Sequence, residues 1–84
     1  MVFANDHHDL IRIVVKSLNG SKHELDVAED ISVKKLKRML SEKEGFPANQ
    51  ITLTFRGKLL IDGENVKSSG ITAGMTIHAK YLIQ

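Results

Sequence analysis

Few residues in this chain are equipped for chemistry. It has four histidines, ten carboxylates and twelve lysines and arginines, and it has no cysteine. Thiol nucleophiles, disulfides and zinc–cysteine centres are therefore excluded. No Ser-His-Asp spacing, no phosphate-cradling glycine loop and no HExxH helix occurs. His7 and His8 stand beside Asp6 and Asp9, but neighbours in an aperiodic lead-in make a weak ligand set, and residues 1–9 read as a solvated, flexible segment without a metal. His23 is expected at the rim, shielding the edge of the core, because no carboxylate partner is visible for it. These absences point away from an enzyme and from any cofactor. What remains is binding chemistry. Arg12, Lys16, Thr54, Arg56, His78 and Lys80 fall at outward positions of alternating segments, with Lys58 at an adjoining turn. A cationic face of this kind favours an acidic partner.

Those side chains need a scaffold, and residues 32–45 organise it. Val33, Leu36 and Leu40 recur at helical spacing, with Met39 beside them. Ser32 is placed to cap the first turn, Gly45 to close the last in a left-handed conformation, and Pro47 to prevent resumption. Lys34 and Lys35 in the first turn and Glu42 and Glu44 in the last oppose the helix dipole. A helix of about three turns is marginal alone in water. Its stability must come from burying the apolar stripe against a sheet.

Strands are the remaining periodic signal. Residues 10–18 alternate, with Ile11, Ile13 and Val15 inward and Arg12, Val14 and Lys16 outward. Asn19-Gly20 predicts a two-residue hairpin loop. Residues 22–27 return with His23, Leu25 and Val27 inward. Residues 50–56 put Ile51, Leu53 and Phe55 inward, and Gly57-Lys58 predicts a tight turn into Leu59-Leu60. Residues 64–74 read as a loop pinned by Val66 and Ile71, and residues 75–83 as a last strand with Ile77, Ala79 and Tyr81 inward. The order β-β-α-β-β-β, with one helix on one face of a mixed sheet of four to five strands, is an α+β roll. Eighty-four residues carry one small domain, and 42% hydrophobic content suits a globular core. No apolar run is long enough to span a bilayer, so a soluble, monomeric, cytoplasmic or nuclear protein is expected. The formal charge of +2 is too small to imply nucleic-acid binding by itself.

Several short motifs also stand in a family order. They are Val15-Lys16-Ser17-Leu18-Asn19-Gly20, Lys43-Glu44-Gly45-Phe46-Pro47, Phe55-Arg56-Gly57-Lys58-Leu59-Leu60 with Asp62-Gly63, and Thr76-Ile77-His78. From Ile11 to Gln84 the chain resembles the ubiquitin family, with no insertion or deletion needed. The resemblance implies the β-grasp fold over residues 10–84. It also implies partner binding through an apolar patch on the open sheet face, whose positions fall on Leu18, Thr54, His78 and Lys80. Thr54 and Lys80 depart from the family pattern, which has aliphatic residues at both. The chain as given has no Gly-Gly after Gln84. An integral ubiquitin-like domain of a larger protein is therefore expected, recruiting it to ubiquitin receptors, proteasome subunits or a segregase. The alternatives are a nucleic-acid-binding domain using the basic face and a conjugated modifier whose tail was removed. Phe46 and Tyr81, expected partly or wholly inward, offer no clear stacking platform for bases. His78 is the residue type whose charge changes near neutrality, so pH-sensitive contact is expected there. Leu59 and Ile61, by alternation around Leu60, should point outward and form a second possible contact.

Overall fold

The computed structural model describes residues 10–81. The lead-in expected over residues 1–9, its His7–His8 pair and the last two positions of the expected final strand lie outside the described residues. The element order is β1 (Leu10–Ser17), β2 (Lys22–Ala28), α1 (Val33–Glu44), a short 3-10 turn (Ala48–Gln50), β3 (Ile51–Phe55), β4 (Lys58–Leu59) and β5 (Thr76–Tyr81). The strands form a single five-stranded sheet ordered β2-β1-β5-β3-β4. β1 and β5 run parallel at its centre, and the other pairings are antiparallel. The mixed sheet with one helix expected from the alternation is the observed architecture.

α1 has the expected limits. The Ser32 hydroxyl accepts from the Lys35 N–H at 3.0 Å, and Gly45, left-handed at φ 83°, donates its N–H to the Ser41 carbonyl. Val33, Leu36 and Leu40 are fully buried. They pack against Ile13, Val15, Leu25, Leu53, Ile77 and their neighbours in one core cluster. Burying each such side chain contributes about 1.5–3 kcal/mol, far more than the unfavourable end charges take away. The long β4–β5 connection is tied to the start of α1. Val33 N–H reaches the Glu64 carbonyl and Val66 N–H reaches the Ile31 carbonyl, while Val66 and Ile71 are buried as anticipated.

Two turns differ from the sequence expectation, and both differences set register. The β1–β2 loop has three residues, not two. Ser17 faces Ser21 across it, with Ser17 N–H bonded to the Ser21 carbonyl at 2.9 Å, and only Gly20 takes positive φ. A two-residue loop would shift the pairing by one residue and turn one strand's apolar set outward. The buried set therefore selects the longer loop, in which Ile13 stands opposite Leu25. The β3–β4 turn lies at Arg56–Gly57 rather than Gly57–Lys58, because Phe55 pairs with Lys58. Both turn residues are left-handed, at φ 55° and 81°. This matches the mirror-image turn that suits the right-handed twist of flanking strands. Gln50 belongs to the 3-10 turn and not to β3.

Candidate functional site

The sheet buries one face under α1 and leaves the other open. On the open face the register assembles one row across all five strands. Lys22 stands opposite Lys16, Lys16 abreast of His78, His78 opposite Thr54, and Thr54 opposite Leu59. Lys22, Lys16, His78 and Leu59 are exposed, and Thr54 is half-buried. Lys80 lies one step along β5, opposite Thr52, and is exposed. Thr54, His78 and Lys80 thus lie side by side as expected. Leu18 sits in the three-residue loop, 75% exposed, with its N–H on the Ala79 carbonyl. That bond holds it beside Lys80, and the two residues line a shallow groove of about 290 Å³ with Asn19, Phe46 and Tyr81.

The structure corrects the composition of this face at four places. Leu59 is not set apart from the main row: its register with Thr54 aligns it there, 61% exposed. Lys58 does not belong to the row. It stands opposite the inward-facing Phe55 and lines a small groove at the sheet edge with Leu59, Glu64 and Ser68. Arg56 occupies the turn, where its guanidinium lies over the Phe55 ring, 5.2 Å from the centroid. Arg12 is not a free cation. It donates from Nε and Nη2 to the two carboxylate oxygens of Asp26, at 2.9 and 3.1 Å, with Glu24 at 3.6 Å. The hydrogen bond to Asp26 raises the Arg12 pKa, and the same bond holds the Asp26 carboxyl below its ordinary range. The β1–β2 end of the face is therefore neutralised, whereas Lys16, Lys22, Arg56 and Lys80 form no ion pair among the described residues. Ile61, 57% exposed, follows the buried Leu60 outside any strand.

His23 does have a carboxylate partner. Its Nε2 meets Glu44 from the last turn of α1, and the Glu44 side chain is only 7% exposed. Sequence reasoning missed the pair because the two residues lie 21 positions apart, and only the wrap of β2 over the helix end brings them together. Tyr81 completes this cluster. Burial, and next the Glu44 charge, push its phenol pKa up. The Tyr81 hydroxyl is buried without a geometrically sound hydrogen-bond partner among the described residues, and the nearby Ser17 hydroxyl offsets only part of the upward push. Its ring stacks on Phe46, 4.5 Å between centroids and 5° from parallel. Each ring is half-buried, so this aromatic pair walls the groove beside Leu18 instead of sinking into the core.

Among the described residues no group of three or more His, Cys, Asp or Glu side chains is arranged to hold a metal. Among the described residues no helix is long and apolar enough to cross a membrane. What the open face offers is a shallow surface of ammonium groups, one imidazole, hydroxyls and two exposed leucines.

The sequence model of the ubiquitin family matches residues 13–80, most of the chain. The chain belongs to the ubiquitin family. Ubiquitin-like protein 1 of Schizosaccharomyces pombe is 36% identical over 66 residues, which cover 79% of this chain and 85% of that protein. Ubiquitin-like protein 4A of Homo sapiens is 39% identical over 61 residues, and ubiquilin-4 of Mus musculus 35% over 68. The chain spans only 39% and 11% of those two relatives. Among solved structures, the ubiquitin-like domain of Plasmodium falciparum Dsk2 superposes with a TM-score of 0.82 at 27% identity, covering 87% of this chain and 99% of that one. The β-grasp fold and membership in the family, both expected from the sequence motifs, are thus shown.

Proposed function

We propose that this ubiquitin-like domain is a non-catalytic interaction module of the ubiquitin–proteasome system, binding protein partners through its open sheet face. One observation carries the reading: a continuous outward row, Lys22–Lys16–His78–Thr54–Leu59, whose cations have no carboxylate partner among the described residues. Resemblance to domains named for ubiquilin and Dsk2 supports placing the module in that system. Its partners are ubiquitin receptors, proteasome subunits or a segregase, and an acidic contact surface is favoured by the free lysines. Leu18, Thr54, His78 and Lys80 make the contact, with Arg56 at the rim.

The test is an NMR titration of the uniformly labelled chain with an isolated ubiquitin-interacting helix and, separately, with an RNA hairpin. Shifts clustering at Leu18, Thr54, His78 and Lys80 with the helix alone are the expected result. The same cluster with the RNA alone, falling steeply with salt, would replace the reading by nucleic-acid binding.

A further inference from the structure

A groove of about 520 Å³ lies away from the open face, between the end of β2 and the first half of α1. Leu10, Val27, Ala28, Ile31 and Met39 line it. Leu10 is 63% exposed, and Ile31 and Met39 are only partly buried against the core cluster. Beside the groove runs the free edge of β2, the outermost strand of the sheet. Ser17 N–H bonds the Ser21 carbonyl, so the bonded pairs of β1 with β2 recur at His23, Leu25 and Val27. Glu24 and Asp26 therefore turn their backbone N–H and C=O groups away from the sheet, and Ala28 its N–H. The Ala28 carbonyl is taken by Ile31 N–H. An edge of this kind is a template for one more strand.

We propose that the chain's own first four residues fill this groove, adding a short strand to the edge of β2 with Phe3 between Val27, Ile31 and Met39. Met1-Val2-Phe3-Ala4 is an apolar run, joined to Leu10 by the polar stretch Asn5-Asp6-His7-His8-Asp9. That tether has the reach. Five residues extend about 17 Å, and a strand beyond β2 lies two spacings, about 9.6 Å, from β1. The tether enters at Leu10, opposite Ala28, so the shortest course for the run is parallel to β2. Alternate residues of a strand share a face, so Met1 and Phe3 turn together toward the helix side, where Val27 points. A run held this close meets the groove at an effective concentration on the order of millimolar, so modest burial is enough to seat it. Seated there, it covers apolar walls that otherwise meet water. It also closes the β2 edge to pairing with another chain.

This proposal is independent of the open-face reading. The test is NMR on the labelled 84-residue chain, compared with Phe3→Ser. Nuclear Overhauser contacts from the Phe3 ring to the Met39 and Ile31 methyl groups are expected, unchanged on dilution. Amide exchange at Asp26 should be at least about tenfold slower in the wild type than in Phe3→Ser, because the added strand engages that N–H. Protection at Leu53 and Ile77, both fully buried, should be the same in the two proteins. Met39→Lys, which puts a charge into the groove, should remove the Phe3 contacts and speed Asp26 exchange. Phe3 lies outside the core cluster, so its variant decides the matter even where Met39→Lys weakens the fold. Equal Asp26 exchange in wild type and Phe3→Ser, with no contact from the Phe3 ring, would overturn the proposal. Contacts found only between differently labelled copies would overturn it too, replacing it by an exchange of this segment between two chains.

Discussion

The pair between His23 and Glu44 gives the sharpest stability test, because it joins β2 to the end of α1 with little water present. The His23 side chain is 26% exposed and that of Glu44 7%. Replacing His23 by leucine leaves the Glu44 carboxylate nearly buried beside the Tyr81 phenol, without its partner. A hydrogen bond to a charged group is worth about 1.5–3 kcal/mol, and stranding a buried acceptor costs a similar amount. His23→Leu should therefore destabilise the domain by about 2 kcal/mol. In a domain of this size that lowers the melting temperature by about 8–16 °C. Glu44→Gln retains an oxygen acceptor for the imidazole N–H and should cost less. The double variant His23→Leu with Glu44→Leu should cost less than the sum of the two singles, because neither member of the pair is left without the other. Urea unfolding at constant m-value gives the cycle directly. Strictly additive effects, each under about 0.5 kcal/mol, would show that the pair does not hold the helix end to the sheet.

Three further outcomes are expected. Leu36→Ala, at a fully buried position, should cost about 2–5 kcal/mol in the same urea experiment while leaving the exposed row unchanged. Because the folded-state pKa of Tyr81 is raised above its ordinary value of 10.0, its contribution is intact below pH 10 and lost as pH rises beyond it. Alkaline unfolding should therefore begin earlier in the wild type than in Tyr81→Phe. The Asp26 carboxyl is lowered from 3.8, so its contribution is present above that pH and lost as pH falls through the depressed value. The pair is fully exposed, so the loss should be small, should weaken with added salt, and should vanish in Asp26→Asn, as acid titrations of both forms would show.

Much of this protein could be read before any coordinate was known. The apolar stripe of α1, its Ser32 and Gly45 caps, the inward sets of the strands and the loop pinned by Val66 and Ile71 all follow from local spacing. Local rules suffice there because period, cap chemistry and turn residues act within a few positions along the chain. The short motifs added the family and its fold. Even the three-residue β1–β2 loop was implicit in the sequence. Ile13 and Leu25 can both face inward as cross-strand neighbours only if the loop has an odd length.

Tertiary structure alone decided what stands next to what. That His78 lies between Lys16 and Thr54 depends on β5 pairing with strands about sixty and twenty-five positions away. That Leu59 joins this row while Lys58 leaves it depends on Arg56 and Gly57 both turning left-handed. Arg12 was withdrawn from the cationic face by a carboxylate fourteen residues on, and His23 gained a partner twenty-one residues away. Spacing along a chain fixes which way a side chain points, but charge and contact depend on distance in space, and only the folded sheet sets that.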